Sequence, residues 1–132
     1  MTSEQELPLS KEPIDAKTIL VLEDDPGIGS FLIQAISQET AYQGLLVTNG
    51  FQALKVVRDI KPDLLILDYQ LPNMNGIEVY DQVCAERNWG IIPTIMLSAQ
   101  LPIKEIDKRK IVGMKKPIEL NEFLNAIEKL LT

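Results

Sequence analysis

The chain has 132 residues, 45% hydrophobic and 24% charged, with a formal net charge of -6, one cysteine and no histidine. That length suits one domain with a full core, and without a run of Lys and Arg there is no autonomous surface for nucleic acid or for an anionic membrane. The missing histidine removes Ser-His and Cys-His catalysis and argues against a zinc centre; the lone Cys84 has no partner for an internal disulfide and fits a reducing cytoplasm.

Residues 1–16 are polar, acidic and aperiodic, which predicts a flexible tail ahead of a domain at 17–132. They contain no signal-peptide centre, and no apolar run approaches the roughly 20 residues of a membrane span. Thr18 to Glu23 reads as a central parallel strand. Pro26 opens a helix whose inward face is predicted to carry Ile28, Phe31, Leu32, Ala35 and Ile36. Gly44 to Thr48 is a short strand closed by Asn49-Gly50. The next helix turns Ala53, Leu54, Val57 and Ile60 inward and stops at Lys61-Pro62. Leu64 to Asp68 is the third strand. Asn75 caps a third helix bearing Ile77, Tyr80, Val83 and Cys84, which ends at Asn88–Gly90. Ile91 to Ser98 reads as a fourth strand, Ile103 to Lys110 as a short helix and Ile111 to Lys115 as a fifth strand. A last helix presents Leu120, Phe123, Leu124, Ile127 and Leu131. Five strands alternating with helices predict a doubly wound α/β fold with a parallel sheet and right-handed crossovers.

The chemistry collects at the strand ends. Glu23 and Asp24 follow the first strand, Asp68 ends the third, Ser98 ends the fourth and Lys116 follows the fifth. In open α/β sheets that carboxyl edge is where ligands bind. If the first strand lies beside the third, Glu23, Asp24 and Asp68 share one pocket. Three such carboxylates repel one another, and a hard cation is the simplest relief. Oxygen donors without His or Cys suit Mg2+, or Mn2+, better than zinc. Asp25 is the alternative contact should the register shift by one. A carboxylate is also a nucleophile toward phosphorus, and phosphoryl transfer needs positioning and charge neutralisation above all. Lys116 offers a point charge, Ser98 a hydroxyl donor, and the backbone N–H groups after Asp68 a cradle.

The motifs Leu22-Glu23-Asp24-Asp25, Leu67-Asp68-Tyr69-Gln70-Leu71-Pro72 with Asn75-Gly76, Met96-Leu97-Ser98-Ala99 and Lys115-Lys116-Pro117 stand in order. From about Thr18 to Leu131 the chain resembles a response-regulator receiver domain of two-component signalling. The resemblance implies a flavodoxin-like five-stranded parallel sheet of order 2-1-3-4-5 flanked by five helices. It implies Asp68 as phosphoacceptor, with Glu23, Asp24, Asp68 and the Gln70 main-chain carbonyl holding Mg2+. Ser98 would be the switch hydroxyl, Lys116 the charge partner, and the Lys116–Pro117 bond cis. The donor would be a histidine kinase or a phosphotransfer protein, and the protein a signalling switch, not an enzyme in the usual sense.

Two features depart from the family pattern. The stretch between Ser98 and Lys116 is short and predicts a shortened fourth helix. Gly113 stands where the family commonly carries an aromatic residue. No effector domain follows Thr132, so output is expected through an unidentified partner protein, with the chain a monomer or weak dimer. A phosphorylation-independent interaction module is the competing reading. A hydrolase of the aspartate-nucleophile type is a third, although such enzymes usually carry a second acid where Gln70 stands. More local readings remain for single residues. Glu23, Asp24 and Asp25 suit an acidic helix-capping turn. Lys115 and Lys116 suit solvated lysines, Cys84 and Trp89 suit packing, and Tyr69 suits the pocket rim.

Overall fold

Strands and helices alternate strictly in a computed structural model that describes residues 16–86 and 90–132. The order is β1 (Thr18–Leu22), α1 (Pro26–Glu39), β2 (Gln43–Val47), α2 (Gly50–Asp59), β3 (Leu64–Asp68), α3 (Gly76–Glu86), β4 (Thr94–Ser98), α4 (Ile103–Arg109), β5 (Val112–Lys115) and α5 (Leu120–Leu131). All five strands are parallel, in the order β2-β1-β3-β4-β5. The expected tail up to Asp15, and Asn88 and Trp89 near the expected end of α3, lie outside the described residues.

The central strands are apolar because both their faces are covered. Along them the side chains alternate between two cores. Leu20, Leu22, Leu65, Leu67 and Met96 join residues of α2, α3 and α4 on one side. Ile19, Val21, Leu64, Ile66, Ile95, Leu97 and Met114 join α1 and α5 on the other. That alternation places the functional residues. Glu23 follows Val21 by two, Asp68 follows Ile66 by two and Lys116 follows Met114 by two. Strand periodicity therefore carries all three toward the α1/α5 side of the carboxyl edge.

Helix starts follow local capping chemistry. Asp25 accepts from the Ile28 N–H at 3.0 Å ahead of Pro26. Asn49 accepts from Gln52 N–H at 2.9 Å. Asn75 and Glu78 exchange bonds of 2.9 Å in a reciprocal box at α3, the geometry that satisfies two of the orphan donors of a helix start. Gly76 is required by close approach: a Cβ there would meet the Asp68 carbonyl at 2.7 Å and Tyr69 Cα at 3.0 Å. The turn after Asp68 can fold back on itself only with no side chain at that point.

Several expectations need correction. β4 begins at Thr94, not Ile91, because Ile92 is buried as a loop residue and its carbonyl accepts from the Thr94 hydroxyl at 2.8 Å. β2 runs one residue earlier than expected, and β5 starts at Val112. Phe31, Ile60 and Leu120 are exposed, not inward, while Val79 is wholly buried on α3. Helical spacing marks a wide apolar face, but α1 turns Gly29, Leu32, Ala35 and Ile36 to the sheet, leaving Phe31 at the margin. α4 is a single stretch of 7 residues, as the short spacing predicts, and closes on Lys110 in the left-handed region (φ 58°).

This packing separates two phenylalanines. Phe123→Ala, at a wholly buried position, should lower the unfolding free energy by about 3–5 kcal/mol. Phe31→Ala, at a 40% exposed position, should cost less than about 1 kcal/mol. Urea denaturation of the two variants checks the pair, and equal losses would refute the α1 orientation.

Candidate functional site

The first strand lies directly beside the third, with Leu22 opposite Leu67. Glu23 and Asp68 thus emerge side by side, both almost wholly buried, and Asp24 stands exposed next to them. One carboxylate oxygen from each of the three lies within 4.8 Å of the others. Lys116 reaches in from the end of β5. Its Nζ sits 3.2 Å from Glu23 Oε1 and 3.2 Å from Asp68 Oδ1. The Lys116–Pro117 bond is cis.

The lysine does not satisfy both acids equally. Its ammonium donates to Asp68 Oδ1, which also accepts the Gln70 N–H at 3.3 Å. Glu23 Oε2 accepts the Asp25 N–H at 3.2 Å. Glu23 Oε1, though close to the ammonium, is buried and accepts no hydrogen bond. The 3.2 Å ion pair with Lys116 is what offsets the burial of that oxygen, and a buried acceptor without a hydrogen bond is costly. Burial, with the neighbouring Asp68 charge added, pushes the Glu23 carboxyl up to about 7. Burial also raises Asp68, although bonds with Glu23 and Lys116 pull it back. Burial alone would lower Lys116, but the Asp68 and Glu23 carboxylates outweigh it and hold the ammonium above its ordinary pKa.

Oxygen donors, an orphaned buried carboxylate oxygen and mutual repulsion are what a hard divalent cation fits, and one lysine leaves excess negative charge among three acids. Asp25, the alternative contact, instead spends its side chain on the start of α1. Lys115 is exposed, whereas Lys116 is the one that turns inward. Tyr69 is half-buried against the α2/α3 side of the sheet, as are Cys84 and Leu71.

Ser98 ends β4 one residue beyond Leu97, the partner of Asp68. Its side chain is buried, and its hydroxyl donates to the Gln100 carbonyl at 2.8 Å while accepting the Gln100 N–H at 3.0 Å. Two further features escaped sequence reasoning. Arg109 of α4 grips Asp81 of α3 with two 2.8 Å bonds. Leu101 and Ile106 fill the space that a side chain at Gly113 would need. The arginine lies in a charge-dense run with no periodic signal, and the second feature is a contact between residues distant in sequence.

The sequence pattern of the response regulator receiver domain matches residues 19–128. The chain is 32% identical over 118 residues to sporulation initiation phosphotransferase F of Bacillus subtilis, covering 86% of this chain and 92% of that protein. It is 35% identical over 102 residues to the transcriptional regulatory protein BaeR of Escherichia coli, covering 76% of this chain but only 40% of that protein. The chemotaxis protein CheY4 of Vibrio cholerae superposes with a TM-score of 0.80 at 22% identity, over 88% of this chain and 99% of that one, which shows a shared fold. Receiver domains bind Mg2+ at an acidic cluster, and Glu23, Asp24 and Asp68 form such a cluster here. The fold, the ordered motifs and these matches together make the chain a member of the response regulator receiver domain family of two-component signalling.

Proposed function

We propose that this protein is a phosphoacceptor switch in which Asp68 takes a phosphoryl group from a histidine kinase or a phosphotransfer protein. The observation that carries the proposal is the Asp68 carboxylate, buried at the sheet edge and held at 3.2 Å by Lys116 beside the equally buried Glu23. An Asp68 oxygen attacks phosphorus, the phosphorus–nitrogen bond of the donor breaks, and the imidazole leaves. The product is an aspartyl phosphate. Lys116 orients the carboxylate beforehand and afterwards neutralises a phosphoryl oxygen. The Gln70 N–H fixes the rotation of the Asp68 carboxylate through its 3.3 Å bond. Glu23, Asp24, Asp68 and the Gln70 main-chain carbonyl would hold Mg2+, or Mn2+; the ion supplies charge neutralisation for phosphoryl transfer. Ser98 donates its hydroxyl to a phosphoryl oxygen.

The altered conformation is read by a partner protein. The protein works in the cytoplasm as a monomer or weak dimer, and touches neither DNA nor membrane directly. Two facts support the last points: the net charge of -6, and the lack of any helix among the described residues long and apolar enough to cross a membrane.

A second reading, a phosphorylation-independent interaction module, is favoured by one observation. Gly113 lacks an aromatic side chain, and its space is closed by Leu101 and Ile106. Asp68→Asn separates the two readings. A switch loses phosphorylation-dependent partner capture, while a module keeps the same partner affinity.

Incubation with acetyl phosphate and Mg2+ should give an acid-stable, base-labile label that disappears in Asp68→Asn. Lys116→Met should slow labelling by about tenfold or more, the loss expected for one charge-assisted contact. Unlabelled wild-type protein under these conditions and with a cognate kinase would sink the proposal.

The pocket also sets a pH dependence. The Glu23 carboxyl, raised to about 7 in the folded chain, keeps its proton where the unfolded chain has lost it. Between the ordinary glutamate pKa and about 7 the native state binds more protons, so stability falls as pH rises through that window. Metal-free protein should therefore melt at a lower temperature at pH 8 than at pH 6. Glu23→Gln or saturating Mg2+ should shrink the difference. An unchanged slope in Glu23→Gln would show that another group sets it.

A further inference from the structure

The sheet has two edges, and they are not guarded alike. β5 is 4 residues long and ends on the exposed Lys115, with Lys110 shortly ahead of it. Short length and lysines keep such an edge from pairing with another chain. β2, at the other edge, is Gln43-Gly44-Leu45-Leu46-Val47, with neither charge nor proline, and no strand among the described residues covers its outer side. Leu45 is 36% and Leu46 40% exposed. Between Pro26 and Leu54, a stretch that holds α1, β2 and the start of α2, Glu39 is the one charged residue, in a chain that is 24% charged.

The ladder with β1 fixes which main-chain groups are left for a further strand. The Gln43 N–H donates to the Lys17 carbonyl at 2.9 Å, and the Val47 carbonyl accepts the Glu23 N–H at 3.1 Å. Main-chain groups alternate along a strand, so Gln43, Leu45 and Val47 face β1, while Gly44 and Leu46 turn their N–H and C=O groups outward. The side chains alternate too. Leu45 stands opposite Leu20 on the α2/α3 side of the sheet, and Leu46 opposite Val21 on the α1 side. Leu46 leans over α1, 3.2 Å from where a Gly29 Cβ would be, and Ile33 Cδ1 lies 3.0 Å from the Cβ position of Gly44.

We infer that β2 is a pairing edge for a second copy of this chain, the two β2 strands meeting antiparallel about a two-fold axis through Leu45. A closed pair of identical chains joins like surfaces. In that register Gly44 lies opposite Leu46 of the second copy and exchanges both N–H···O bonds with it. The same pair repeats across the axis, so every outward group of these two residues gains a partner. Leu45 meets Leu45 of the second copy on one face. On the other, Leu46 lies over Gly44 of the second copy and packs on its Ile33. Charge selects the same occupant. Two chains of net charge -6 repel each other, and least where the meeting edges carry no charge; a basic or acidic partner finds nothing there to pair with. The five strands of each copy join into one continuous sheet. Asp68 lies on β3, two strands in from β2, so the acidic pocket stays open in both copies, and the inference does not rest on the phosphoacceptor reading. One strand from each side makes a small interface, so the pair is weak.

Sedimentation equilibrium of the full chain tests the pairing. The mass should rise from one chain toward two between about 10 µM and 1 mM, the range of a small interface. Leu45→Lys, which sets two ammonium groups face to face on the axis, should raise the dimer Kd by about tenfold or more, and Leu45→Glu should do the same with two carboxylates. A one-to-one mixture of these two proteins should associate again, because residue 45 meets its own counterpart. Val112→Lys, at an exposed position of β5, should leave Kd unchanged. Amide exchange gives the register. Raising the concentration of wild-type protein should slow exchange at Gly44 and Leu46 and leave Leu45, which faces β1, as it was. A single-chain mass still found at about 1 mM overturns the inference. So does a Leu45→Lys dimer with Kd within about twofold of wild type, which places the contact elsewhere, or a mixture no tighter than its components. If either Leu45 variant fails to fold, exchange at Gly44 and Leu46 decides, and rates independent of concentration overturn the pairing.

Discussion

Glu23 and Asp68 are neighbours because β1 and β3 are neighbours, and they are buried because both strands run through the middle of the sheet. Their charges therefore meet where water is scarce, and removing a carboxylate from water costs several kcal/mol even after relaxation. Lys116 offsets part of that cost. It hydrogen-bonds Asp68 and lies close to Glu23, yet leaves one Glu23 oxygen without a donor. The pocket is thus short of positive charge in its resting form. Receiver domains bind Mg2+ at such an acidic cluster, and a dication is the charge that would make up that shortage.

The opposite side of the same sheet edge works by sterics. Gly113 has no side chain to offer, and Leu101 with Ile106 fills its place. The Ser98 hydroxyl is occupied with Gln100. Charge gathers on one face and packing on the other, and Ser98 ends β4 between Leu97, the partner of Asp68, and the Gln100 main chain.

The helices show how local and distant effects share the work. Asp25, Asn49 and Asn75 satisfy helix starts by bonds within three residues, so the boundaries of α1, α2 and α3 follow from local chemistry. α4 has no such cap. Its position depends on Arg109 reaching Asp81, 28 residues away, and on the buried Ile106.

The alternation of apolar strands with amphipathic helices is written in the chain, and so is the sheet order once the receiver motifs are read. Hydrophobic periodicity is local and strong in Leu64–Asp68 and weak at Ile91–Pro93, where Ile92 is buried as a loop residue while Ile91 and Pro93 are exposed. Periodicity also marked Phe31, Ile60 and Leu120 as inward, because it reports which residues are apolar and not how wide a helix face the sheet can cover. The acids, the hydroxyl and the lysine were legible as strand-end residues. Their distances, the division of Lys116 between two carboxylates, the orphaned Glu23 oxygen and the filling of Gly113 were decided by tertiary structure. The physical reason is that sequence patterns encode interactions over a few residues, whereas the ends of β1, β3 and β5 bring together Glu23, Asp68 and Lys116, separated by 45 to 93 positions along the 132-residue chain, and only packing sets what they meet.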